Sequence, residues 1–158
     1  MKPLAYLLTW TTYGSWLHGD EHGWVQSGQP GIQAPDSERQ DNMRMRMTEQ
    51  AVILNDSQRP LVENTIREVC QFRYWTVHAV NVRSNHVHVI LSADRPPEQV
   101  LSQLKAWCSR RLSEQEGLSV QKGSRNGRRR WWTEHGSTKW INDDNYLQNA
   151  IRYVNERQ

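Results

Sequence analysis

Residues 74–91 limit the fold more than any other stretch of this chain. Residues 74–82 (YWTVHAVNV) alternate in polarity and are rich in β-branched side chains, residues 86–91 (HVHVIL) alternate again, and only Arg83, Ser84 and Asn85 lie between them. A period of two with a short polar connection predicts two antiparallel strands joined as a hairpin. Everything else in the sequence has to pack around that pair.

Residues 4–13 (LAYLLTWTTY) combine apolar, Thr and aromatic residues with no helical period, which predicts a strand. Asp56 or Ser57 is placed to cap a helix carrying Leu61, Val62, Thr65, Ile66, Val69 and Phe72 at i, i+3 and i+4 spacing. Pro96 and Pro97 open a second helix, with Val100, Leu101, Leu104, Trp107, Cys108, Arg111 and Leu112 as its apolar stripe. Residues 114–130 are polar, glycine-containing and basic, a loop pattern, and residues 131–141 suit a strand or a tight hairpin broken at Gly136. Asp143 or Asp144 then caps a last helix bearing Leu147, Ala150, Ile151 and Val154. The order strand, helix, strand, strand, helix, strand, helix predicts an α+β, ferredoxin-like split βαβ domain. Its four-stranded antiparallel sheet would carry helices on one face, an extra C-terminal helix, and a second face left available. Between Gly14 and about residue 50 lies a long irregular insertion containing Gly19, Gly23, Gly28, Pro30, Gly31 and Pro35, with a short helix expected over 37–47.

With 158 residues and 18.6 kDa, the chain suits one domain over residues 1–158. Its mean hydropathy is −0.87, and no stretch approaches the roughly 20 apolar residues of a membrane span. No small-residue cleavage site follows the short apolar N-terminal run, so a cytoplasmic protein is expected, nucleoid-associated when bound to DNA. Cys70 and Cys108 both sit in helical patterns and are expected to be reduced and structural.

The net charge of +3 conceals a concentration of cations: residues 101–140 hold nine Lys or Arg against three acids. Arg128, Arg129 and Arg130 run straight into Trp131 and Trp132, a pairing of phosphate-binding cations with flat rings on which bases stack. A solvated basic loop beside core indoles has the same sequence. Two adjacent tryptophans cannot share one side of a strand, so one is expected in the core and the other, taken as Trp132, free to stack. The turn from His135 to Lys139 joins Gly136 to Ser137, Thr138 and Lys139, side chains suited to phosphate contact or simply to capping a turn.

His86 and His88 are two apart on a predicted strand, which puts both imidazoles on one face about 6.5–7 Å apart, with Val87, Val89 and Leu91 opposite. Such a pair suits a divalent cation, although two histidines on a half-wet strand also satisfy themselves by ordinary hydrogen bonds. His78 on the partner strand would complete a three-histidine zinc site for a hydrolase, whereas Mg²⁺ or Mn²⁺ held by two histidines and an oxygen donor suits phosphoryl chemistry. Arg83, in the turn before the pair, is placed to meet a phosphate.

The segment from Asn85 to Ile90 (NHVHVI) resembles the HUH motif, histidine–hydrophobe–histidine, of the single-tyrosine transposases of insertion sequences and their repeat-associated relatives. The likeness extends to TWTTYGSWLHGD in the opening strand, to RRWWTEHGSTKW, and to the final helix with AIRYVNERQ. It implies a metal-dependent DNA transposase and endonuclease that cleaves and rejoins single-stranded DNA, with hairpin ends, through a 5′-phosphotyrosine. His86 and His88 would be metal ligands and Tyr153 the nucleophile; Tyr146, seven residues earlier, is the competing tyrosine and suits packing better. Relatives carry an amide four residues after the tyrosine, a position held here by Arg157, so Glu156 and Gln158 are the candidate third ligands. A homodimer is also implied. A domesticated nucleic-acid-binding protein of the same fold, without turnover, is the alternative.

Overall fold

The computed structural model describes residues 3–15, 51–117 and 130–156. Most of the irregular insertion, the expected helix over 37–47, Arg128, Arg129 and Gln158 lie outside the described residues. The elements run β1 (Ala5–Thr11), α1 (Gln58–Arg73), β2 (Thr76–Val82), β3 (His86–Ser92), α2 (Pro97–Gln115), β4 (Ser137–Ile141) and α3 (Asp144–Glu156). The four strands form one antiparallel sheet in the order β2-β3-β1-β4, the ferredoxin-like arrangement that the element order predicted.

Strand alternation divides the molecule into two cores. Tyr6, Leu8 and Trp10 of β1 and Val87, Val89 and Leu91 of β3 point to one face, where Val62, Ile66 and Val69 of α1 and Val100, Leu104, Cys108 and Leu112 of α2 cover them. The opposite face is not left open as expected. There α3 lays Leu147, Ala150 and Val154 against Ala5, Ala79, Ile90 and Ile141. The last helix therefore packs behind the sheet, across from α1 and α2, where its apolar stripe covers the apolar residues of that face.

Local boundaries follow side-chain chemistry. Ser57 occupies the cap position of α1 without a side-chain bond; the Asn55 Oδ1 accepts from the Ser57 and Gln58 amides at 3.0 and 2.9 Å, and Gln58 Oε1 accepts from the Asn55 amide at 2.8 Å. Asp143 caps α3 by accepting from the Tyr146 amide at 2.7 Å. Phe72, placed in the apolar stripe of α1 by its spacing, is 77% exposed; the buried stripe ends at Val69 and Cys70. Trp107 likewise lies at the surface, with the Arg110 guanidinium 4.9 Å from its ring centre. Residues 131–136 are not strand: a single bridge links Thr12 to Trp132, and β4 begins only after Gly136. A Cβ at Gly136 would stand 2.8 Å from the Thr9 carbonyl oxygen, so β4 reaches β1 only because that side chain is missing.

Cys70 and Cys108 are both buried free thiols, as expected. Burial pushes the Cys70 thiol up to about 11 and raises that of Cys108 further, so neither is a reactive thiolate.

Candidate functional site

β3 is a central strand, and His86 and His88 lie at its first end, on the face opposite Val87 and Val89. Their rings are 4.8 Å apart between centroids and inclined by 76°. Register brings Thr9 and Thr11 of β1 opposite His88 and His86, and Asn81 of β2 opposite His88 from the other side. Cross-strand partners share a face, so these polar residues surround the imidazoles at the end of the sheet beyond the Ile90 and Ala79 core.

Hydrogen bonds fix how the rings present themselves. Asn85 Oδ1 lies 2.8 Å from Nδ1 of His86. An amide oxygen only accepts, so Nδ1 carries the proton and Nε2 keeps its lone pair. The Thr9 hydroxyl lies 3.0 Å from Nδ1 of His88; in the tautomer protonated at Nδ1 it accepts from that nitrogen and leaves Nε2 able to take a ligand. Oxygen partners on the inner nitrogen are how proteins orient metal-ligating imidazoles. Burial, followed by the Arg83 charge, lowers the His86 imidazolium below its ordinary value. His88 falls to about 4 through burial, then His86, then Arg83. Both rings are thus neutral near pH 7, the form a metal ligand needs. The donor set fits a divalent cation as far as two nitrogens go.

Tyr153 arrives from the other direction. Val154 of α3 is fully buried against the sheet, and one step back along the helix turns Tyr153 sideways by about 100°. Its ring lies 6.4 Å from His88 between centroids, at 78°, and remains 45% exposed. Tyr146 lies seven residues earlier, about 10 Å back along the helix axis toward the opposite end of the sheet. Of the two tyrosines, Tyr153 is the one whose ring meets the histidine pair.

The remaining expected site residues divide. Arg83 is brought to the pair: its amide donates to the His86 carbonyl at 2.8 Å to close the turn, and its charge is felt by both imidazoles. Lys139 is exposed on β4 opposite Leu7, and so on the histidine face of the sheet. Arg130 is exposed, with its guanidinium 5.9 Å from the centre of the Tyr13 ring. Trp132 is a correction. It is 8% exposed, packs at 87° against Trp10, and donates from Nε1 to the Lys105 carbonyl at 3.1 Å. Trp131 is buried as well, donating to the Ser113 hydroxyl at 2.9 Å, so neither ring is offered to a base. Both enter the core because this segment is not a regular strand and need not alternate.

His78 does not join the pair. It lies at the bulge between Val77 and Ala79, and its Nε2 is 2.8 Å from the hydroxyl of Ser92, four residues along β3 from His88, or about 13 Å. The three-histidine zinc site is therefore not formed. Glu156 is exposed, two residues beyond Val154 and so turned about 200° from the sheet. Among the described residues no three His, Cys, Asp or Glu side chains are grouped to hold an ion.

Thr9 and Asn81 went unrecognised in the sequence. Their only signal is a polar side chain inside an apolar or β-branched run, and their proximity to His88 comes from strand register.

Comparison with known proteins follows the same lines. The family model described as Transposase IS200 like matches residues 43–157. Two solved structures align over nearly all of the chain. A REP-associated tyrosine transposase bound to a REP hairpin aligns with a TM-score of 0.53 at 12% identity, covering 98% of this chain and 66% of its own. A candidate transposase from Deinococcus radiodurans R1 aligns with a TM-score of 0.53 at 14% identity, covering 100% and 93%. No curated protein sequence matches. Among the described residues no helix is long and apolar enough to cross a membrane.

Proposed function

We propose that this chain, which belongs to the IS200-like transposase family, cleaves and rejoins single-stranded DNA with Tyr153 as the attacking group. The observation that carries this reading is the approach of Tyr153 to His88, 6.4 Å between ring centroids, beside two imidazoles whose outer nitrogens are available.

In this reading the Tyr153 oxygen attacks a phosphodiester phosphorus as its proton leaves. The bond from phosphorus to the 3′-oxygen breaks, that oxygen takes up a proton, and a 5′-phosphotyrosine remains. Reversal by a 3′-hydroxyl rejoins the strand without ATP. His86 and His88, with a further oxygen donor, would hold Mg²⁺ or Mn²⁺, which when bound polarises the scissile phosphate and offsets developing negative charge. Arg83 adds a fixed positive charge at the same end of the sheet. Lys139 supplies another on the same face, suited to positioning the backbone without reading sequence. The hairpin bound by the REP-associated structure supports a substrate with hairpin ends.

Mixing His88→Ala with Tyr153→Phe protein tells attack within a chain from exchange of α3 across a homodimer: activity returns in the mixture only if a tyrosine helix serves the partner's histidines. The function itself is tested by incubating labelled single-stranded hairpin DNA with the protein and Mn²⁺. A covalent adduct that disappears in Tyr153→Phe supports cleavage. Binding without any adduct would establish the rival, a DNA-binding protein that has kept the fold without turnover.

A further inference from the structure

We infer that Asn81 is the positioning residue that sets the tyrosine helix in register with the histidine pair, an inference that deepens the proposed function. Asn81 lies on β2 directly opposite His88, and its Nδ2 donates to the Val154 carbonyl at 2.8 Å. Val154 immediately follows Tyr153, so one amide side chain ties the strand facing His88 to the peptide beside the tyrosine.

The end of a helix makes such a bond consequential. The last four carbonyls of a helix have no partner within it, and in α3, which ends at Glu156, the Val154 carbonyl is one of them. Asn81 satisfies that acceptor from the sheet.

The apolar contact alone does not fix the axial position of α3. Its sheet-facing residues, Leu147, Ala150 and Val154, with Ile151 beside them, meet Ala5, Leu7, Ala79, Ile90 and Ile141, an apolar surface with no polar group to mark an axial position. Burial is non-directional, so it restricts axial position less sharply than a hydrogen bond between an amide and a carbonyl does. A shift of one turn, about 5.4 Å, would carry the Tyr153 ring out of contact with His88. The stripe therefore sets which face of α3 meets the sheet, and Asn81 sets where along the sheet it stops.

The test uses two variants that keep the approximate shape of Asn81 but lose the N–H donor, Asn81→Leu and Asn81→Asp. In metal-free protein, NMR reads the contact between the Tyr153 and His88 rings and the amide exchange of residues 153–156. Loss of the ring contact, with faster exchange in the last turn and unchanged exchange over 144–150, is expected for both variants. In Asn81→Leu, which adds no charge beside the imidazoles, single-turnover adduct formation with saturating hairpin DNA and Mn²⁺ should fall about 100-fold while Mn²⁺ affinity holds. If Asn81→Leu does not fold, Asn81→Asp decides. An intact ring contact and unchanged last-turn exchange in a folded variant overturns the inference. Failure of the parent protein to form any adduct would overturn the cleavage reading instead, and the metal-free measurement separates the two.

Discussion

Thr9 and His88 face each other across the β1–β3 ladder, and the threonine hydroxyl lies 3.0 Å from Nδ1 of the imidazole. With the hydroxyl accepting from a protonated Nδ1, this pairing leaves the outer nitrogen of His88 able to take a ligand. Thr9→Val keeps the branched shape and removes the hydroxyl. It is expected to weaken Mn²⁺ binding by about 10- to 100-fold, measured by titration calorimetry, with little change in secondary structure. Unaltered affinity would mean that the hydroxyl does not orient the ring.

The neutral state of the imidazoles makes stability depend on pH. Burial lowers His78, and burial with neighbouring charge lowers His86 and His88, below the ordinary 6.5. Below that value the unfolded chain binds protons that the folded chain refuses, so stability rises with pH through this window. In metal-free protein with chelator present, denaturant melts should show stability falling as pH drops from about 6.5. The loss due to His88 runs down to its folded value of about 4, below which both states are protonated. His88→Gln is expected to flatten the slope, and an unchanged slope would contradict the assignment.

Gly136 is where the approach of β4 to β1 is closest. An alanine there sets its Cβ 2.8 Å from the Thr9 carbonyl and 3.0 Å from Leu101 Cδ2, contacts that backbone and core must move to relieve. Gly136→Ala should cost about 1–3 kcal/mol in denaturant unfolding. Because Thr9 also holds His88, Mn²⁺ affinity should fall in the same variant.

Lys105 of α2 ties down the segment before β4. Its Nζ donates to the carbonyls of Thr133, Glu134 and His135 at 2.8, 3.2 and 3.4 Å, while its backbone carbonyl accepts from Trp132. Lys105→Met retains the aliphatic stem and removes the donor. A loss of about 1–3 kcal/mol is expected, read by chemical denaturation. A protein as stable as the parent would show that those carbonyls are satisfied without it.

Much of this architecture is legible in the sequence because it rests on period. The alternation through Val87 and Val89 placed His86 and His88 together on the other face, and the spacing of Leu147, Ala150 and Val154 marked a one-sided helix. What period does not encode is which layer an element joins. The stripe of α3 fits either face of a sheet, and it packs behind because Ala5, Ala79, Ile90 and Ile141 are the apolar residues left uncovered there. The same limit hid Asn81 and Thr9, whose roles come from cross-strand register. Trp132 departs from alternation for a different reason: residues 131–136 are not strand, and both indoles have hydrogen-bond acceptors inside. His78 shared a strand pair with the histidines, but the bulge and the strand length carry it to Ser92.

The most direct test of the account is to locate the covalent bond. After reaction with hairpin DNA and Mn²⁺, nuclease and trypsin digestion releases two separate tyrosine peptides, 140–152 with Tyr146 and 153–157 with Tyr153, since Lys139, Arg152 and Arg157 are the cleavage points. Mass spectrometry should find the nucleotide on Tyr153 in peptide 153–157. A nucleotide on Tyr146, or cleaved DNA with both peptides unmodified, would contradict the claim that Tyr153 is the attacking group.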